Sequence, residues 1–322
     1  MQNQILRNLL FSLLGAQPRI NLRLRKIQGN KLVTILNLHR VSDDDHSAYK
    51  PLNPKVFEQL LVFLRKNYNV TSFSELEESA SQKSDKPLAI ISFDDGYKDF
   101  INVACPILEK YRIKVNQNII PECVILGGPP LNVALQDFIG KASPSELKEM
   151  AVPGFEVGSD ISDRVSIGNR LSKHIKNKPI HEQNDYREII FAQIRNLQSF
   201  QPTEMMDLKD IKQIIDVHDI GAHSFSHANI GLESDDYAKS DLYQCKEWFL
   251  KNLDHDVEIY AYPNGSYQDH QLKFALDAGF KYVLLVNDKF SKSIGPVYER
   301  FGFHAENISE ARFRAAGKFA SI

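Results

Sequence analysis

The chain has few of the residues that mark disulfide-rich, membrane-spanning or nucleic-acid-binding proteins. Its 322 residues include only three cysteines, at positions 105, 123 and 245. Because that number is odd and the spacing wide, they indicate neither a disulfide framework nor a cysteine-based zinc site. A formal net charge of −2 and a pI near 6.6 do not indicate a nucleic-acid partner. The composition also shows no sign of disorder or of a coiled coil.

Long apolar runs are scarce as well, including at the N-terminus. The apolar segment of residues 5–16 is too short to span a bilayer and lacks the basic residues that precede the core of a signal peptide. Residues 19–26 mix arginine and lysine with leucine and isoleucine, which predicts either a membrane-surface helix or a helix docked on the domain. Docking is the preferred interpretation. We expect residues 1–30 to form a helical extension of a cytoplasmic protein, with peripheral membrane contact as the alternative.

Apolar, β-branched runs alternate with amphipathic helical patterns through most of the remaining chain. This rhythm predicts parallel strands with helical crossovers, in an α/β fold that is either an open sheet or a barrel. Residues 127–203 show helical patterns without a long β-run, and we expect a helical insertion in a domain spanning 31–322. The seven strand candidates are residues 32–38, 69–72, 88–93, 114–120, 219–222, 257–262 and 280–286.

Polar clusters recur where these strands end. They are His39, the pair Asp94-Asp95, His223 and the segment Tyr262-Pro263-Asn264. Functional sites of α/β folds collect at the carboxyl ends of parallel strands, so the clusters are expected to converge. His46 and His218, by contrast, are expected at the surface.

The carboxylate pair and the two downstream histidines favour a metal site. Asp94-Asp95-Gly96 is also compatible with a simple turn, because Asp-Gly is a common turn pair. His223 and His227 have the i, i+4 spacing that places both imidazoles on one face of a helical turn, although two solvated histidines would show the same spacing. One carboxylate added to this pair makes a site for a divalent metal, and the other remains free as a base.

Three segments together resemble the polysaccharide deacetylases, the NodB-homology or carbohydrate esterase family 4 group. They are Ser-Phe-Asp-Asp-Gly-Tyr at 92–97, His-Ser-Phe-Ser-His at 223–227 and Tyr-Pro-Asn-Gly at 262–265, and the resemblance covers most of 32–302. It implies a distorted (β/α)7-type barrel that hydrolyses N-acetyl groups of amino sugars with a bound metal, most simply Zn²⁺ or another first-row ion. It also implies that Asp94 is the general base and that Asp95, His223 and His227 are the metal ligands.

The remaining site assignments follow from the same resemblance and from departures from it. Tyr262, Pro263 and Asn264 correspond to a groove motif whose backbone amide binds the oxyanion, and Tyr97 is a candidate cleft wall.

The histidine expected on the last strand is missing, and His304 is a poor match. Leu38-His39-Arg40 resembles the start of a circularly permuted subgroup that includes the poly-N-acetylglucosamine deacetylases, so His39 is assigned as the general acid. Arg300 is the candidate for the arginine missing from the third motif. The polar strand around Asn116–Asn118 is expected to line the substrate cleft.

The sequence therefore predicts a metal-dependent hydrolase that removes N-acetyl groups from an N-acetylated glycan or oligosaccharide. Two alternatives remain open. One is a hydrolase of another C–N amide, such as a small cyclic amide or ureide, and the other is a non-catalytic glycan-binding barrel. The intact set of Asp94, Asp95, His223 and His227 argues against a non-catalytic barrel, because such a protein has no need for adjacent carboxylates.

Overall fold

The structure is a computed structural model that describes residues 2–195, 197 and 200–322. Its helices are α1 (Gln2–Leu14), α2 (Gln17–Gly29), α3 (Pro54–Asn67), α4 (Leu76–Ser81), α5 (Cys105–Tyr111), α6 (Pro121–Leu126), α7 (Leu131–Lys141), α8 (Pro144–Glu149), α9 (Arg164–Lys176), α10 (Ile180–Ile194), α11 (Leu208–Ile214), α12 (Asp235–Leu253), α13 (Gln271–Asp277) and α14 (Ile308–Ala315). Its strands are β1 (Leu32–Leu38), β2 (Asn69–Val70), β3 (Leu88–Phe93), β4 (Asn116–Ile119), β5 (Asp219–Ala222), β6 (Ile259–Ala261), β7 (Tyr282–Val286), β8 (Ser291–Lys292) and β9 (Val297–Gly302).

Seven of these strands close into a parallel barrel. The pairing runs from β1 through β3, β4, β5, β6, β7 and β9, and β9 returns to β1. The predicted (β/α)7-type barrel is thereby confirmed. Strand β2 extends β3 outside the closed ring, and β8 pairs antiparallel with β1.

Two details of the strand prediction are wrong. The segment around residues 69–72 is not a barrel strand, since β2 pairs only with β3. The seventh barrel strand is β9, which the sequence reading missed. Its register places Arg300 opposite Val286 of β7, and Phe301 opposite Leu36 of β1. Charged residues at 299 and 300 interrupt the apolar pattern by which the other strands were recognised.

The barrel interior changes from apolar to polar along its axis. Side chains of alternate strand residues share one face, so residues two apart point into the same interior. An apolar cluster occupies the part of the interior toward the amino-terminal ends of the strands. It includes Val33, Ile35, Ile90, Ile259, Leu284 and Tyr298. The next residues of the same parity are polar, and they include Asn37, Ser92 and Arg300, all buried. The carboxyl-terminal end of the barrel is therefore polar from within.

The segment between β4 and β5 carries helices α6 to α11. Helices α7, α9 and α10 bury a separate apolar cluster that includes Phe138, Leu171 and Ile190. At its contact with the barrel, a Cβ on Gly168 would lie 2.6 Å from the Cβ of Ala48, so α9 approaches closely because residue 168 has no side chain. The predicted division of the chain into domains stays a prediction.

The N-terminal helices contact the C-terminal helix. Phe11 of α1 packs against Phe313 of α14 with ring centroids 5.8 Å apart, and Arg7 Nη2 lies 2.8 Å from Glu310 Oε1. Helix α2 buries Ile20 and Ile27 against the domain, although α1 leaves several leucines exposed. Within the described part of the chain, no helix combines the length and the apolar character needed to cross a membrane.

Candidate active site

The carboxylate pair lies where β3 ends at the carboxyl-terminal edge of the barrel. The amide of Asp94 still donates to Leu38 O of β1 at 3.0 Å, so Asp94 continues the strand pairing. The next two residues turn away, with φ of 78° at Asp95 and 83° at Gly96. Adjacent side chains therefore enter different surroundings, Asp94 toward the barrel axis and Asp95 toward the loop after β5.

Asp94 forms a bidentate ion pair with Arg300, and both side chains are buried. Arg300 Nη1 lies 2.8 Å from Oδ1, Nη2 lies 3.0 Å from Oδ2, and Asn118 Nδ2 donates to Oδ1 at 2.7 Å. Burial alone would raise the pKa of Asp94, but the Arg300 guanidinium, together with His223 and His39, holds it well below its usual range. Asp94 is thus an ionised carboxylate in a fixed orientation.

A buried hydrogen-bond network in the barrel interior holds this ion pair in place. Arg300 Nη1 also donates to Asn37 Oδ1 and Ser92 Oγ, both at 2.9 Å. Ser92 Oγ donates to Asn116 Oδ1 at 2.7 Å, and Asn116 Nδ2 donates to Asn118 Oδ1 at 3.0 Å. The expectation that Asn116–Asn118 lines the cleft is therefore wrong. The side chains of Asn116 and Asn118 lie inside the barrel, and Asn118 holds the Asp94 carboxylate.

Asp95, His223 and His227 form the other half of the site. Asp95 Oδ1 lies 3.3 Å from His223 Nε2 and 3.5 Å from His227 Nε2, and one ligand atom from each residue falls within 4.8 Å of the others. All three side chains are buried, and among the described residues Asp95 Oδ1 has no hydrogen-bond partner. Two imidazole nitrogens close to an unpartnered carboxylate oxygen are suited to binding a divalent cation.

The protonation of the two imidazoles agrees with a ligand role. His223 Nδ1 lies 2.8 Å from Ala261 O, and because a carbonyl only accepts, Nδ1 carries a proton and Nε2 is the nitrogen available to a metal when the ring is neutral. Burial alone would lower the pKa of His223, but the Asp94 and Asp95 carboxylates outweigh the effect of burial and raise the pKa. The two carboxylates therefore favour a positive charge at this position. Burial lowers the pKa of His227 to about 3, so its ring is neutral.

The two histidines do not share a helical turn, contrary to the expectation from their spacing. His223 follows β5 directly, and His227 lies in a loop with φ of 60°. The loop is held by Asp241 of α12, whose Oδ2 accepts from Ser224 Oγ at 2.7 Å and from the Phe225 amide at 2.9 Å. Sequence reasoning missed Asp241, because nothing in α12 distinguishes it from a surface carboxylate.

His39 and His304, the two candidates for the general acid, lie in different places. His39 lines the same cavity as Asp94 and Asp95, with its ring edge-on to Tyr49 at 6.1 Å. Burial lowers the pKa of His39, and the carboxylates of Asp95 and Asp94 counteract part of that effect. His304 is exposed and faces Glu310 of α14. The structure therefore brings His39 to the site and leaves His304 outside it.

The third motif and Tyr97 contribute less to the cavity than expected. Asn264 lines it and donates from Nδ2 to Asn229 Oδ1 at 2.7 Å. Tyr262 is fully buried, and its hydroxyl donates to Gln271 O at 2.8 Å. Tyr97 is also fully buried, beneath Asp95. In the part of the chain that the structure describes, the cavity wall includes neither ring, nor Pro263.

These groups surround a central cavity of about 290 Å³. One side is the carboxyl-terminal edge of the barrel, and the opposite side is the helical segment between β4 and β5. The wall residues from the barrel and its loops are Asn37, His39, Tyr49, Asp94, Asp95, His223, His227, Asn264, Val286 and Gly302. Those from the helical segment are Asn132, Val133, Gln136, Asn169, Ser172 and Lys176.

Comparison with known proteins agrees with this geometry. Residues 179–283 match the sequence profile of the polysaccharide deacetylase family, a segment that includes both histidines and the third motif but not the carboxylate pair. No curated protein sequence matches the chain. The predicted resemblance to the polysaccharide deacetylases is confirmed by the family match, which supports a deacetylase.

Solved structures share the fold at low sequence identity. A Streptococcus pyogenes deacetylase, PplD, in complex with acetate is 19% identical, with 88% of this chain and 98% of that chain covered and a TM-score of 0.57. IcaB from Ammonifex degensii is 14% identical, with 88% and 97% covered and a TM-score of 0.56. The BpsB deacetylase domain from Bordetella bronchiseptica is 11% identical, with 84% and 95% covered and a TM-score of 0.51.

Proposed function

We propose that the protein is a metal-dependent carbohydrate N-deacetylase that removes acetyl groups from amino sugars of a glycan or oligosaccharide. The observation that carries the proposal is the division of the carboxylate pair. Asp94 is fixed and ionised by Arg300, while Asp95 presents an unpartnered oxygen to two imidazoles. Hydrolysis of an amide needs both a base and an electrophilic centre, and this arrangement provides one carboxylate for each.

Asp95, His223 and His227 are the residues that would hold the metal, with Zn²⁺ as the first candidate among first-row ions. When bound, the metal supplies a Lewis acid that polarises the acetyl carbonyl and makes a neighbouring water more acidic. All three residues line the cavity, so water and substrate would have access to the metal there.

The proton transfers are assigned to the chain's own residues. Asp94 takes the proton from the attacking water, and Arg300 keeps its carboxylate oriented for that transfer. His39, at the end of the neighbouring strand β1, donates a proton to the departing amine. The cavity buries both groups, which strengthens their electrostatic interactions with the substrate.

Metal content and acetate release test the proposal. We expect stoichiometric metal in the parent and in Asp94→Asn, and loss of metal in His223→Ala, because only the second change removes a ligand. If both variants bind metal as the parent does, the ligand assignment is wrong. Acetate release from N-acetylglucosamine oligomers, but not from small cyclic amides or ureides, supports the deacetylase. The opposite preference would favour the alternative amide hydrolase, and no turnover of either class would favour a binding protein.

For the location, we propose a cytoplasmic protein with peripheral membrane contact through the N-terminal helices. Leu9 and Leu13 of α1 are more than half exposed, and Arg19 and Arg25 of α2 are exposed nearby in sequence. Exposed leucines beside cationic residues suit an anionic lipid surface. Co-sedimentation with anionic but not with neutral vesicles supports the contact, and its absence from both argues against it.

A further inference from the structure

The helical segment between β4 and β5 presents a largely polar surface to the cavity. Helices α7 and α9 turn their apolar residues toward the separate cluster described above and their amide, hydroxyl and ammonium groups toward the cavity. The spacings on that side, i and i+4 on α7 and i, i+3 and i+7 on α9, keep the polar groups on one face of each helix. These residues are Asn132 and Gln136 on α7, and Asn169, Ser172 and Lys176 on α9.

Lys176 is the cation on this polar face, and none of the described carboxylates forms an ion pair with it. Its side chain is half-buried, and among the described residues its ammonium has neither an ion-pair nor a hydrogen-bond partner. Asp94 is already paired with Arg300, and Asp95 faces the two histidines. Burial lowers the pKa of Lys176, with only the more distant Asp95 carboxylate opposing the shift. A desolvated ammonium of this kind is costly unless a ligand pairs with it.

The position of Lys176 relative to the carboxylate pair is fixed by the surrounding loops. Its backbone carbonyl accepts a hydrogen bond from Asn229 Nδ2, and Asn229 Oδ1 accepts from Asn264 of the third motif at 2.7 Å. On the other side, the Ala48 amide donates to Gln136 O at 3.0 Å. The polar face is therefore joined to the barrel on two sides, as a substrate-binding wall needs to be.

We infer that Lys176 and the polar face around it bind an anionic substituent, a carboxylate or a phosphate, carried by the amino sugar next to the acetamido group that is cleaved. This inference rests on the proposed deacetylase function and specifies its substrate class. A neutral sugar leaves the Lys176 ammonium desolvated and unpaired. An anionic substituent converts it into a charge-assisted hydrogen bond, and the amides of Asn132, Gln136 and Asn169 can contact the sugar hydroxyls.

The test compares three substrates, a neutral N-acetylglucosamine oligomer and the same oligomer with either a carboxylate or a phosphate ester on the sugar. We expect the parent to prefer one anionic oligomer by about tenfold or more in kcat/KM. Lys176→Gln removes that preference mainly through KM, and Lys176→Arg restores most of it. Lys173→Gln is the matched control, because Lys173 lies on the same helix and is exposed. The anion with the larger effect identifies the substituent.

The inference is overturned if Lys176→Gln keeps the anionic preference, or if it weakens neutral and anionic substrates equally. Failure of the proposed function gives a different result, in which the metal-loaded parent releases acetate from none of the three oligomers. In that case, calorimetric titration of the metal-loaded protein with the anionic oligomers decides. Binding that is lost in Lys176→Gln and kept in Lys173→Gln supports the anionic subsite, and no binding to the parent overturns it.

Discussion

Asp95 and Asp219 lie at opposite ends of the same barrel and have opposite surroundings. Asp219 opens β5 at the amino-terminal end, where its carboxylate accepts from the Ser74 amide at 3.1 Å and Ser74 Oγ at 2.8 Å and pairs with Lys114 Nζ at 3.0 Å. Asp95 follows β3 at the carboxyl-terminal end, and its Oδ1 has no hydrogen-bond partner among the described residues. The carboxylate of Asp219 is paired within the chain, whereas Asp95 Oδ1 is available to a ligand.

Uncommon backbone conformations occur at both ends of the barrel, including Lys31 before β1 and Arg112 before β4 at the amino-terminal end. In the loops at the carboxyl-terminal end, five non-glycine residues have positive φ, namely Asp95 (78°), Ser224 (57°), His227 (60°), Asn264 (57°) and Asp288 (53°). Each such conformation costs on the order of 1 kcal/mol or more and persists only where the surrounding structure enforces it. Asp241 provides that enforcement for the loop of the two histidines. The buried Asp241 carboxylate thus maintains the conformation of the loop that carries both histidines.

The sharpest test of this comparison exchanges the two aspartates for asparagine. Asp95→Asn is expected to lower deacetylation by about a thousandfold or more, because it weakens the metal site, and to leave the metal-free protein as stable as the parent or more so. Asp219→Asn is expected to cost roughly 1–3 kcal/mol of unfolding free energy with kcat unchanged. Acetate release and urea denaturation measure the two effects. A stable Asp219→Asn protein with impaired kcat would contradict the comparison.

The second test addresses Arg300, which supports the carboxyl-terminal end from inside the barrel. Arg300→Met leaves the Asp94 carboxylate buried without its guanidinium, and we expect a loss of about 3–5 kcal/mol in unfolding free energy. The low pKa of Asp94 should rise in this variant, because burial then acts without the compensating cation. Urea denaturation at neutral pH measures the loss of stability.

The double variant Arg300→Met/Asp94→Asn is the control for this interpretation. Because it removes the uncompensated charge, it is expected to recover a substantial part of the lost stability. Equal stability of the single and double variants would mean that Arg300 stabilises the barrel through Asn37 and Ser92 rather than through Asp94.

Local sequence was sufficient for most strands and for the groups at their ends. Asp94, Asp95 and His223 follow apolar runs directly, and a parallel barrel brings the ends of its strands together. Asn37, Ser92 and Asn118 were missed as partners of the site because their contacts join strands far apart in sequence. Strand parity contained the signal, since Asn37 precedes His39, and Ser92 precedes Asp94, by two residues.

The barrel interior also requires a glycine at a position that the sequence alone does not identify. A Cβ on Gly221 would lie 2.1 Å from Asn118 Oδ1, so the absence of a side chain on β5 admits the amide that holds Asp94. Arg300 was predicted as a candidate for the missing arginine, but its contacts inside the barrel were not, because β9 was not recognised as a strand. An arginine flanked by Tyr298 and Phe301 was the available clue, as buried arginines require a partner.

The third test concerns His218 at the amino-terminal end, next to Asp219. It was expected at the surface and is in fact buried, with its Nδ1 accepting from the Val115 amide at 3.4 Å. Burial lowers the pKa of His218 to about 4 from the ordinary value of 6.5, despite the nearby Asp219 carboxylate. The unfolded chain therefore takes up a proton near pH 6.5, whereas the folded chain does so only near pH 4.

Acidification between these two values must favour unfolding, and His218 alone is expected to remove up to about 3 kcal/mol of stability from the parent. In His218→Gln this contribution is absent, so the difference between variant and parent should shift in favour of the variant as the pH falls from 7 to 4. Urea denaturation at several pH values measures the slope, and exposed His46→Gln provides the matched control. Parallel pH profiles for parent and His218→Gln would show that the amino-terminal end tolerates a buried charge, which would remove the contrast between the two ends of the barrel.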